Sequence, residues 1–136
     1  MNDITKLRTV LKFNAAFSAV GGLVAVLAGP WVSEVSGIDH VALTRLTGIG
    51  LIIFAIDVAL VSRADQLRLL RDSLVVSLAD FIWVVATVVV LATVELSTAG
   101  VVAALLLGLA VGDFGIAQLR FRSRLVGSSE AAIVTA

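Results

Sequence analysis

The sequence predicts an all-α membrane protein: four transmembrane helices in an up-down-up-down bundle, with both termini on the cytoplasmic side. Three observations predict it. Four apolar segments, roughly Thr9–Ala28, Leu43–Ser62, Leu74–Val94 and Thr98–Leu119, are each long enough to cross the ~30 Å hydrocarbon core as a helix. Short links between consecutive segments force antiparallel neighbours. Nine of the ten basic residues fall on one side of these segments, and only Arg45 lies at the other end. Lys6, Arg8 and Lys12 precede the first, Arg63, Arg68 and Arg71 join the second to the third, and Arg120, Arg122 and Arg124 follow the fourth. Positive charge stays in the cytoplasm, so both termini and the middle loop belong there.

Composition agrees. The 136 residues are 60% hydrophobic, and the mean hydropathy of +1.10 leaves too little polar surface for a water-soluble domain. The apolar runs are too continuous for barrel strands, which alternate at period two. Residues 1–124 form one four-helix domain, and 125–136 read as a short flexible tail of small, weakly polar residues. With no cysteine, thiol redox chemistry, thiolate metal sites and disulfides are excluded within the chain. Eight arginines against two lysines point to a GC-rich bacterial source.

The first segment also resembles a secretory signal, with a basic start and small residues before Gly29. Its length and the interrupting Asn14 and Ser18 favour a retained span. Gly29-Pro30 ends it, because proline lacks the amide donor and clashes with a continuing turn. Trp31 then stands at the membrane–water interface. In the following loop Trp31, Val35 and Ile38 recur at helical spacing. That fits either a short interfacial helix, with Ser33, Glu34 and Asp39 turned to water, or an irregular loop. The charged segment Arg63–Asp72 forms the cytoplasmic link, and Glu95–Thr98 the outer one. A faint repeat pairs Asn14 and Phe17 with Asp80 and Trp83, at a level chance also reaches.

One polar residue per helix suggests a layer: Asn14, Asp57, Asp80 and Asp113. Each lies ~9–14 Å along its helix from the nearest boundary arginine. An aspartate at a span's centre costs about 2.5–3.5 kcal/mol to insert, so these groups should point inward, pair, or bind something. Asn14 shares a face with Ser18, Gly21 and Ala25, and Asp80 with Ser73, Ser77 and Thr87. Trp83, one turn deeper, is placed to cap the Asp80 pocket. Three readings of the layer stand. It fixes packing through hydrogen bonds and salt bridges to snorkelling rim residues (Lys12, Arg63, Arg71, Arg120), it holds a proton or cation, or it faces a partner.

Small residues form two stripes, Gly21, Ala25 and Gly29 in the first span, and Gly100, Ala104, Gly108 and Gly112 in the fourth. Such spacing lets helix backbones approach closely. The fourth-span stripe meets either the first span or the fourth span of a second copy. His40, the only histidine, reads as a solvated loop residue. No catalytic triad, phosphate loop, metal spacing or nucleic-acid-binding patch occurs in the sequence, and no metal or cofactor is expected.

The Gly29-Pro30-Trp31 exit, the Leu46–Gly50 start of the second span and Leu78–Trp83 in the third resemble small, uncharacterised bacterial four-helix integral membrane proteins. That resemblance implies the plasma membrane and supplies no activity. Small multidrug transporters are similar in size. They carry a glutamate in the first helix, where this chain has Asn14, and their charge bias is weak. Vitamin K epoxide reductase-like proteins need the cysteine pairs missing here. The leading expectation is a non-enzymatic scaffold, partner subunit or lipid-binding element. Its partners are the lipid bilayer and a second copy or another membrane protein, with no nucleic acid. The alternative is a proton- or cation-coupled transporter or channel working through the aspartates.

Overall fold

The computed structural model describes residues 2–134. It is all-helical: α1 (Asp3–Leu27), α2 (Gly29–Ser36), α3 (Val41–Arg63), α4 (Gln66–Thr93) and α5 (Thr98–Val134). By length and composition, α1, α3, α4 and α5 can each cross a membrane.

Three helices outrun their apolar stretches, two of them through local caps. The Thr5 amide donates to the Asn2 side chain at 2.8 Å, so α1 starts six residues before the apolar run. The Arg68 amide donates to Asp65 Oδ1 at 3.0 Å, so α4 takes in most of the anticipated Arg63–Asp72 loop. Each side chain satisfies an amide that the first turn otherwise leaves unpaired. The tail differs most from expectation, since α5 continues as helix through Val134. Leu125, partly buried against the apolar core, and Ser128 and Ser129, donating to its carbonyl, extend α5 beyond the basic residues.

The Trp31 segment is the short helix α2, with Pro30 in its first turn and Gly37, at φ +79°, ending it. Ser33 does not turn to water. It is buried, its hydroxyl 2.8 Å from that of Thr44. The Ser97 amide donates to Ser36 O at 3.0 Å, joining α2 to the turn before α5. Gly100 lies so close to the Ser36 backbone that a side chain there would strike it.

The most extensive packing is α1 on α3, followed by α4 on α5 and α1 on α5. Consecutive α3 and α4 touch little. Between α1 and α3 the backbones meet at Gly22 and Gly48, where a Cβ on either would come within 2.7 Å of the other's carbonyl oxygen. Hence the small row of α1 serves α3 rather than α5. Ala25 packs at Gly48, Gly21 borders Leu51, and Gly29 lies under the Arg45 side chain.

Where the start of α1 meets the end of α3 and the start of α4, an apolar core gathers Leu7, Leu11, Ala15, Val58, Val61, Leu69 and Val76, with Phe121 and Leu125 of α5 partly buried against it. Arg8 closes this end by donating to Ser62 O and Ala64 O, both at 2.7 Å, which satisfies carbonyls at the terminus of α3. Elsewhere the usual distribution is inverted. Asn14, Ser18, Ser73, Ser77, Asp80 and Gln118 are buried, while Val20, Leu27, Ile53, Leu60, Ile82 and Leu109 stand exposed. Such an exterior suits solvation by lipid, while buried polar contacts and close packing hold the interior.

Candidate functional site

The centre of the bundle is built around one carboxylate. Asp80 of α4 is 1% exposed, and three hydrogen bonds reach it from two other helices. Asn14 Nδ2 of α1 donates to both oxygens, at 2.8 and 3.1 Å. Gln118 Nε2 of α5 donates to Oδ2 at 2.9 Å. Behind each amide stands a hydroxyl. Ser18 Oγ donates to Asn14 Oδ1 at 3.4 Å, and Ser77 Oγ lies 3.3 Å from Gln118 Oε1, sharing its proton with Ser73 O at 2.9 Å. The Asn14 and Gln118 amides and the Ser18 hydroxyl point their protons toward Asp80, whereas the Ser77 proton is divided between Gln118 Oε1 and Ser73 O. Hydrogen bonds linked in this way polarise one another and hold the carboxyl group in one orientation.

Local sequence places these groups. Ser73, Ser77 and Asp80 repeat at helical spacing along one buried face of α4. On α5, Val111, Gly115 and Gln118 form the matching face. Gly115 is the close approach: a Cβ there would sit 3.4 Å from Asp80 Cβ and 3.3 Å from the Phe81 ring. Phe17 and Phe114 stack edge to face at 5.6 Å where α1 meets α5. The Trp83 indole donates no hydrogen bond among the described residues; its carbonyl accepts from Thr87 Oγ1.

Of the anticipated layer, the structure brings together Asn14 and Asp80 only. Asp57 and Asp113 are exposed on the outer surface, with no hydrogen bond or ion pair among the described residues. Rim arginines do not reach the acids either. Asp80 is satisfied by amides, Arg8 and Arg122 bind backbone carbonyls, and Arg71 pairs with its neighbour Asp72 at 2.7 Å. Gln118, which hydropathy hides beside Arg120, completes the site instead.

The α5 stripe also finds a different neighbour. Gly108 and Gly112 face Thr87 and Val84 of α4, at 3.3 and 3.6 Å from the position of an added Cβ, and Gly100 faces α2. Ala104, Gly108 and Gly112 line a shallow outer groove of about 250 Å³ between α4 and α5. Among the described residues no group of three or more His, Cys, Asp or Glu is placed to hold a metal ion. Every buried side-chain nitrogen and oxygen among them has a partner. Chemically, the centre is a buried carboxyl group whose two oxygens are both already hydrogen-bonded.

Comparison with protein-family models, with curated proteins and with solved structures finds no match to this chain.

Proposed function

We propose that this is a four-span protein of a bacterial inner membrane, an up-down-up-down bundle with both termini and the α3–α4 link in the cytoplasm. It performs no chemistry of its own and serves as a scaffold or partner subunit for another membrane component. The observation that carries this reading is the completeness of the Asp80 network. A carboxylate tied by Asn14 and Gln118 joins α1, α4 and α5, and no buried side-chain nitrogen or oxygen among the described residues is without a partner. Such a group fixes which helices associate and in what register, the use of buried polar groups that is best attested in helical assemblies. The orientation rests on charge sidedness, nine basic residues against one.

One observation favours the transport alternative: Asp80 has amide partners but no cationic one. Proton and monovalent-cation flux into vesicles holding the wild type or Asp80→Asn separates the two. The scaffold reading expects no flux above empty vesicles from either. A flux that vanishes with Asp80→Asn overturns it. Reporters fused at the N-terminus, after Arg68 and at the C-terminus should read cytoplasmic, and one beside Glu34 should read extracytoplasmic. A periplasmic signal after Arg68 would reverse the orientation.

A further inference from the structure

We propose that the outer groove between α4 and α5 receives a transmembrane helix of a different protein, one that presents a lysine or arginine to Asp113. The proposal rests on the partner-subunit reading and names its face and its chemistry. Leu105, Leu109 and Ile116 stand exposed along the groove, and Gly108 and Gly112, packed on Thr87 and Val84, add no side chain to fill it. Asp113 lines the same groove, without any hydrogen bond or ion pair among the described residues. No basic side chain lines it.

The other outward acid is the informative contrast. Asp57 lines a pocket of about 320 Å³ that also contains Arg63 and Arg68. The chain thus supplies positive charge around one exposed carboxylate and none around the other. Within a membrane an acid of the second kind takes its counter-charge from a neighbouring helix.

A second copy of this chain fits poorly. Two-fold pairing of the grooves would set Asp113 against Asp113, like charge on like. Lys12, exposed partway along α1, lies between the level of Lys6 over the Phe121 ring and that of Phe17 against Phe114. Five residues short of Phe17, it stands about 7 Å below the level Asp113 needs.

The test uses the full chain, labelled at its terminus, in phosphatidylcholine vesicles. The probe is a labelled transmembrane peptide of leucine and alanine with one lysine at the depth of Asp113; a matched peptide carries leucine instead. Energy transfer should show tighter association of the lysine peptide. Asp113→Asn should weaken that association about three- to thirtyfold, the span of interhelical polar contacts. Ile116→Trp, which fills the groove from an exposed position without altering charge, should weaken it too. Asp57→Asn should leave it unchanged. Equal transfer for the two peptides, or equal losses with Asp57→Asn and Asp113→Asn, overturns the proposal. So does transfer between two copies of the chain that Asp113→Asn abolishes. Failure of the lysine peptide in a protein that carries no flux removes only the groove assignment, whereas Asp80-dependent flux removes the parent reading whatever the peptides do.

Discussion

Replacing Asn14 with leucine should be among the most damaging single substitutions in this chain, though it makes a membrane helix more apolar. The side chain is fully buried, and its amide gives both hydrogen bonds that reach Asp80 from α1. Leucine has similar bulk and no donor. A hydrogen bond to a charged group is worth about 1.5–3 kcal/mol. One amide shared between two carboxylate oxygens belongs near the top of that range. Asn14→Leu should therefore cost about 3 kcal/mol, and Gln118→Leu, which removes a single bond, about 2 kcal/mol. Lipid gives leucine no compensating hydrophobic gain, because the reference state is equally apolar. The charge is essential to this arithmetic, since neutral interhelical bonds average only about 0.6 kcal/mol. Unfolding of the reconstituted protein by SDS in mixed micelles measures the difference. A cost below about 0.6 kcal/mol would show that no charged network holds the centre. The triple variant Asn14→Leu, Asp80→Leu, Gln118→Leu supplies the converse test. Removing every partner together should leave it more stable than Asn14→Leu alone, because no buried charge is orphaned; a triple variant less stable than both single ones would refute the argument.

Four further outcomes are expected. Gly48→Ala should destabilise the bundle by roughly 1–3 kcal/mol, because its methyl meets Gly22 O at 2.7 Å and Ala25 Cβ at 2.8 Å. Gly50→Ala, with nothing within 4 Å, should be neutral or stabilising by up to about 1 kcal/mol in the same unfolding assay. Arg8→Met should cost about 1–3 kcal/mol by freeing the carbonyls of Ser62 and Ala64, and hydrogen exchange should rise selectively at the end of α3. Gly100→Val should leave the main helices formed but detach α2, read as increased proteolysis near Gly37 with far-UV circular dichroism preserved.

Four spans were legible in the sequence because hydropathy measures the property a bilayer selects. Their ends were not, because Asn2 and Asp65 extend α1 and α4 by capping, and capping leaves no trace in hydropathy. The site was half legible. Residue type put four polar groups at similar depth, but depth does not say which face a side chain takes. The faces were written in neighbouring residues. Asp80 shares its face with Ser73 and Ser77, whereas Asp113 shares its face with Leu109 and Ile116, and Asp57 with Ile53 and Leu60. All four of those aliphatic residues are more than half exposed. Gln118 stands in the last turn of the fourth apolar segment, beside Arg120, where hydropathy does not distinguish a buried amide from a boundary residue; α5 runs on to Val134. Its alignment with Val111 and Gly115 was the available signal.

The scant packing between α3 and α4 has a consequence for biogenesis. As the chain emerges, α1 and α3 can close at Gly22 and Gly48 before anything later is made. The next helix brings Asp80 into the bilayer with little of α3 to rest on, and Asn14 is then its one available donor. Gln118 arrives 38 residues later, on the helix that must also settle against α1. Until α5 is in place, the carboxyl group at the centre lacks one of its two amide partners. If the four helices enter a membrane in order, release from the insertion machinery should wait on completion of the last helix, and a chain truncated before Gln118 should be retained there or degraded.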